Sequence, residues 1–105
     1  MKISIAKDFS DAPGGRYIRD GEYSGEKFRK DLLEPAFEKE DGIITVDLDG
    51  TFGYPPSFLE EAFGGLVRIK KWTKDEILRR LKFVSNEDPS LPEKIRNYIR
   101  NADNE

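Results

Sequence analysis

The sequence predicts an α/β sandwich, a mixed or mostly parallel sheet of about four strands backed by helices. Three observations point there. The run Gly42-Ile43-Ile44-Thr45-Val46-Asp47-Leu48 is β-branched and follows a turn residue, as a strand does. Strand-like and helix-like runs alternate in the order β(β)αβα(α)βα, which suits a sheet covered by helices. Three hydroxyl residues each stand three positions before a carboxylate: Ser57 and Glu60, Thr73 and Glu76, Ser90 and Glu93. That is the capping box of a helix start, in which each side chain satisfies an orphan backbone N–H.

Taken in order, Ile3 and Ile5 alternate with polar residues, so residues 2–7 read as a strand. Pro13-Gly14-Gly15 and Asp20-Gly21 are turn signals, with Arg16-Tyr17-Ile18-Arg19 between them as a second short strand. Ser24 caps a helix to about Phe37, whose apolar face is Phe28, Leu32, Leu33 and Ala36. Pro35 should kink or restart that helix. The strand at 42–48 is expected to be central, with helices on both faces. Gly53, Pro55 and Pro56 then break the chain into a loop.

A helix over about 58–71 follows, with Phe58, Leu59, Ala62, Phe63, Leu66 and Ile69 inward. Its Gly64-Gly65 pair costs roughly 1 kcal/mol per glycine against alanine. Either a close seat on the sheet or a close approach by a partner would account for it. Leu81 to Val84 is a last strand, and residues 91–101 a final helix with Ile95, Tyr98 and Ile99 inward and a frayed tail at 102–105. No internal repeat or linker divides the chain, so residues 1–105 read as one domain.

Composition limits the chemistry. The 105 residues include no cysteine and no histidine, which excludes Cys/His zinc sites and Ser-His-Asp or Cys-His catalysis. No cofactor, metal site or catalytic residue is expected. Seven Phe, four Tyr and one Trp supply the burial that a disordered chain lacks. The first residues turn polar too soon for a signal peptide, and no apolar run reaches the roughly 20 residues of a membrane span. A soluble cytoplasmic protein is the expectation.

The net charge of −3 is uneven, with Arg68, Lys70, Lys71, Lys74, Arg79, Arg80 and Lys82 gathered in the second half. They suit solvated helix faces, or, as an alternative function, a nucleic-acid patch.

Two resemblances bear on function. Ile43 to Phe52 contains Asp47-Leu48-Asp49-Gly50-Thr51 and resembles the first motif of haloacid-dehalogenase-type phosphatases. On that likeness Asp47 would be nucleophile and Asp49 acid, in a minimal Mg²⁺-dependent phosphatase. The acidic pairs downstream, Asp75-Glu76 and Glu87-Asp88, stand in helix-start and turn contexts, so this is the alternative and a non-enzyme is expected.

The stronger likeness lies in Tyr54-Pro55-Pro56-Ser57-Phe58-Leu59-Glu60-Glu61-Ala62-Phe63-Gly64-Gly65-Leu66. Gly14-Gly15-Arg16, Ser24-Gly25-Glu26 and Phe28-Arg29 belong to it too. Together, over roughly residues 3–85, they resemble the STAS-like domains of the DUF4325 group. STAS is the fold of the anti-sigma-factor antagonists.

That resemblance implies a non-enzymatic regulatory module docking a histidine-kinase-type ATPase or another regulator. It also implies Ser57 as candidate phosphoacceptor, with phosphorylation breaking the complex. The expected contact surface is the loop 52–57 with the first turns of helix 58–71, its residues Tyr54, Pro55, Pro56, Ser57, Phe58, Glu60 and Glu61, since rigid aromatic anchors beside charges suit an interface.

Overall fold

The computed structural model describes residues 1–102. Three parallel strands, β1 (Lys2–Ser4), β2 (Ile44–Asp47) and β3 (Leu81–Val84), lie in the order β1-β2-β3. The described residues thus form three strands, not about four. The expected strand at Arg16–Arg19 is replaced by a 3-10 turn, Ile18–Asp20. Carboxylates hold its amides: Tyr17 N–H donates to Asp20 and Ile18 N–H to Glu26, so no ladder forms. β1 also stops early. Ser4 accepts from Lys7 N–H and Asp8 accepts from Ser4 N–H, which closes the short helix α1 (Ile5–Asp8).

β1 and β2 are joined through α2, which runs unbroken through Gly25–Phe28, Arg29–Leu33 and Glu34–Lys39. Ser24 caps it as expected, accepting from Lys27 N–H at 3.2 Å. Its middle segment is wound as a π turn just ahead of Pro35, which has no N–H for the preceding turn. β2 and β3 are joined through α3 and α4. The first runs through Pro56–Leu59, Glu60–Gly64 (again π) and Gly65–Arg68, and the second is Lys74–Arg80. Helix α5 (Leu91–Asn101) follows β3 where the sequence predicts it.

Right-handed crossovers in this strand order put their helices on one face of the sheet. Burial agrees. Ile3, Ile44, Val46 and Leu81 are buried, and Phe83 packs edge-on to Phe63 of α3 at 5.7 Å. The other face carries Lys2, Ser4, Thr45, Asp47, Lys82 and Val84, all partly or fully exposed. The expectation of helices on both faces is corrected: parity alone separates Thr45 and Asp47 from the core.

α3 packs against both α2 and α5. Phe28, Phe58 and Phe63, fully buried, and half-buried Phe9 run through the centre with ring centroids 5.4–6.3 Å apart. Arg80 is buried too. It stacks on Phe37 and donates to the carbonyls of Phe37, Glu40 and Gly42, ending α2. Ala102 is buried against the core, and residues 103–105 of the expected tail lie outside the described residues.

Gly25 is where α2 meets α3. A Cβ there would stand 2.3 Å from the Phe58 carbonyl oxygen, which is backbone and cannot yield cheaply. Gly25→Ala is expected to lower unfolding free energy by about 1–3 kcal/mol, measured by urea titration, through overpacking.

Candidate functional site

The carboxyl ends of parallel strands are where the chain emerges from the sheet and where α/β folds place their sites. Here the segments after β1, β2 and β3 are tied together at that edge. Asp47 accepts from Asp49 N–H at 3.0 Å, turning the chain at the end of β2. The Asp49 carboxylate then accepts from Glu87 N–H (3.0 Å), Asn86 N–H (3.1 Å) and the Asn86 amide (3.1 Å). These bonds, Glu87 N–H foremost, hold Asp49 below the usual carboxylate value. In return Gly50 N–H donates to Glu87 at 2.8 Å. Gly50 and Gly53 sit at φ +94° and +126°, where a side chain would be strained.

Phe52 N–H donates to the Asp11 carbonyl at 2.8 Å, which adds the segment after β1 to the same edge. The Tyr54 hydroxyl donates to the Leu48 carbonyl at 2.7 Å, and burial pushes its pKa up to about 12. What this bracing leaves outside is Phe52, 88% exposed. It stands between two clefts. One, of about 450 Å³, has Leu48, Leu59 and Leu91 among its lining, with Tyr54, Tyr98 and Lys94. The other, of about 360 Å³, is formed by Ala12, Pro13 and Pro55 with Phe52, Gly53 and Tyr54.

Of the expected contact residues, Pro55 and Pro56 are exposed, Tyr54 and Ser57 half-buried. Phe58 is fully buried and Glu61 only 7% exposed, so neither presents a surface as folded. Ser57 is not the helix cap. Pro55 holds that position and Pro56 is the first helical residue, its fixed φ suited to it. Ser57 stands two residues past the cap position, and the expected capping box with Glu60 does not form. Ser90 likewise makes no cap hydrogen bond; its hydroxyl donates to Asp88. Of the three, only Thr73 caps its helix, accepting from Glu76 N–H at 3.1 Å.

Glu60 and Glu61 belong to a cluster beneath this edge. Arg29 of α2 is 5% exposed and donates through Nη1 to the Glu61 carbonyl and carboxylate, both at 2.7 Å, and through Nε to Glu34 at 3.0 Å. Arg68 grips Glu60 at 2.7 and 3.0 Å, and Arg16 reaches Glu60 and Glu61 from the segment before α2. The hydrogen bonds from Arg68 and then Arg16 hold Glu60 below the usual carboxylate value. A Cβ on Gly65 would lie 2.1 Å from Arg29 Nη1. Gly65 thus makes room for an arginine of α2, while a Cβ on Gly64 would meet the Glu60 carboxylate of its own helix; neither seats the helix on the sheet.

Several groups on which the two alternatives rest are engaged in contacts of their own. Among the described residues no group of three or more His, Cys, Asp or Glu is placed to hold a metal ion. Asp49 is engaged by three N–H donors from the β3–α5 segment. The basic run of 68–82 is divided: Arg68 lies in the ion cluster, Arg80 is buried, Lys71 pairs with Glu38, and Lys74 donates to the Arg100 carbonyl. No helix among the described residues is long and apolar enough to cross a membrane.

The sequence includes Phe52 in the expected contact loop 52–57 without singling it out, and does not reveal Arg16, Arg29 and Arg68 as partners of Glu60 and Glu61. The signal for that cluster was the helical glycine pair.

Two measurements test the cluster. Arg29→Met takes from buried Glu61 its 2.7 Å partner, leaving Arg68 at 3.2 Å and Arg16 at 3.5 Å, and is expected to cost up to about 3 kcal/mol in urea unfolding, with part of it recovered when Glu61→Leu is added. Because Glu60 is more acidic folded than unfolded, its contribution is complete above its usual value of 4.5 and is lost as pH falls through the lower folded value. Stability measured against pH should therefore fall below about pH 4.5, and Glu60→Gln should flatten that fall.

Residues 24–91 match the model of the STAS-like domain of unknown function (DUF4325). The search of curated proteins and that of solved structures found no match. The matched span runs from the Ser24 cap through Arg29, Gly64-Gly65 and the loop at 48–55 to the start of α5, well over half the chain. By that match the chain belongs to the family of STAS-like domains, DUF4325.

Proposed function

We propose that this chain is a regulatory protein-docking module whose contact surface is the edge built by the segments after β1, β2 and β3. STAS-like domains are generally non-catalytic regulatory units, which supports a binding role over a reaction. The observation that carries the reading is Phe52. An aromatic left 88% exposed on a loop braced from three sides is a pre-formed anchor, since little ordering entropy remains to be lost on docking. Tyr54, Pro55, Pro56 and Ser57 continue that surface, while Phe58, Glu60 and Glu61 act from behind it by fixing the first turns of α3.

The STAS likeness supplies the partner class, a histidine-kinase-type ATPase or another regulator. Ser57, half-buried in the first turn of α3, is the candidate phosphoacceptor. A phosphate there would add nearly two negative charges beside Pro55 and Pro56 and alter docking by charge alone.

Tagged protein recovered from its own cells tests this. Wild type should retain a partner that Phe52→Ala loses, with both proteins equally folded. Retention unchanged by Phe52→Ala would sink the docking edge. Ser57→Glu should shift the same partner's affinity, and an unshifted affinity would leave Ser57 a structural residue only.

A further inference from the structure

We propose that the partner surface this edge takes is basic: a lysine- or arginine-rich protein segment that also offers an apolar side chain to the clefts beside Phe52. This rests on the docking reading and goes further, because charge as well as shape selects the occupant.

The segments 9–24, 48–55 and 85–90 carry six acidic residues: Asp11, Asp20, Glu22, Asp49, Glu87 and Asp88. Against them stand three basic ones, Arg16 and Arg19 of these segments and Lys94 of α5, which lines the larger cleft. Arg16 is held by Glu60 and Glu61, and Arg19 lies over the Tyr17 ring at 5.0 Å. Asp11 and Glu22 are exposed and engaged in no side-chain hydrogen bond or ion pair among the described residues. With six acids to three bases, the edge thus carries a net charge of −3, equal to that of the whole chain.

Apolar groups are set into this field. Phe52 is 88% exposed and Tyr23 44%, the latter edge-on to Phe9 at 5.7 Å. The Gly14 N–H donates to the Tyr23 carbonyl and Phe52 N–H to the Asp11 carbonyl, so these rings and acids share one surface. An exposed apolar group ringed by like charge repels nucleic acid and anionic membrane alike. It steers and holds a surface of the opposite sign that can also cover the rings. Lys70 and Arg79, in no ion pair among the described residues, stand at the other end, after α3 and before β3, roughly 20 Å away along α3.

A consequence follows for Ser57. Phosphate at that position would make the edge more negative and strengthen docking of a basic partner, the opposite of the release that the antagonists show.

The test is a titration of isotope-labelled protein, followed by backbone amide shifts. The probe is a synthetic amphipathic peptide with lysines on one face and leucine and phenylalanine on the other. Its twin, with glutamate for every lysine, is the control. The lysine peptide should shift amides of 11–14, 22–23, 50–55 and 86–88, and the twin should not. Phe52→Ala should weaken the affinity about tenfold. The pair Asp11→Asn and Glu22→Gln should weaken it further and reduce its dependence on salt.

No shift, equal shifts with the twin, indifference to Phe52→Ala, or shifts mapping to 70–82 would each overturn the proposal. A partner that co-purifies in a Phe52-dependent way but is not displaced by the lysine peptide would overturn the basic-partner inference while leaving the docking reading intact.

Discussion

The buried pairing of Arg29 with Glu61 is the constraint on which the rest of the structure depends. A guanidinium that is 5% exposed needs its donors satisfied, and here they are met from two helices at once. Its reach to a backbone carbonyl as well as a carboxylate of α3 fixes both the rotation and the height of that helix against α2. Gly65 clears the space for the head group and Gly25 the space for the helix crossing. Both helices are wound as π turns where the arginine and its partner sit, so the geometry of each yields locally to the pair. Such a pair adds little net stability compared with an apolar pair of the same volume. Its effect is selective: any other helix register leaves a charge buried without a partner.

From there order passes outward. With α3 fixed, its first turn fixes Pro55 and Tyr54, and Tyr54 in turn closes on the Leu48 carbonyl. Arg16 ties the irregular segment before α2 to Glu60, and Asp49 ties the loop after β2 to the one after β3. A three-stranded sheet leaves little core beneath such loops. Hydrogen bonds to carboxylates perform the bracing that burial would perform in a larger domain.

Much of the scaffold was legible in the sequence. Ile44 to Asp47, Leu81 to Val84 and the helix at 91–101 announce themselves through local patterns, because each buries one regular face. Ser24 and Thr73 were legible as caps for the same reason. Ser57 and Ser90 were not: proline holds the cap position ahead of Ser57, and Ser90 stands at the cap position but gives its hydroxyl to Asp88. The strand expected at 16–19 failed because Asp20 and Glu26 compete for its amides, a contest that no periodicity records. The ion cluster was illegible as a set: Arg29 and Glu61 stand thirty-two positions apart, and charge spacing along a chain does not reveal pairing across it. The glycine pair did mark a close approach, and only the identity of the approaching group was hidden. The family likeness pointed to the stretch 54–66, while geometry buries Phe58 and Glu61 of it and leaves Phe52 exposed just ahead.

The account's central claim is that the loop edge is pre-formed, held in its docking shape without a partner. Backbone ¹⁵N relaxation of the free protein tests this directly over residues 49–55. Order parameters near those of the helices, about 0.85, are predicted, because five of the bracing hydrogen bonds converge on Asp49, Gly50, Phe52 and Tyr54. Values below about 0.6 across the same residues would contradict it, and would make Phe52 the tip of a mobile loop with no fixed surface to offer.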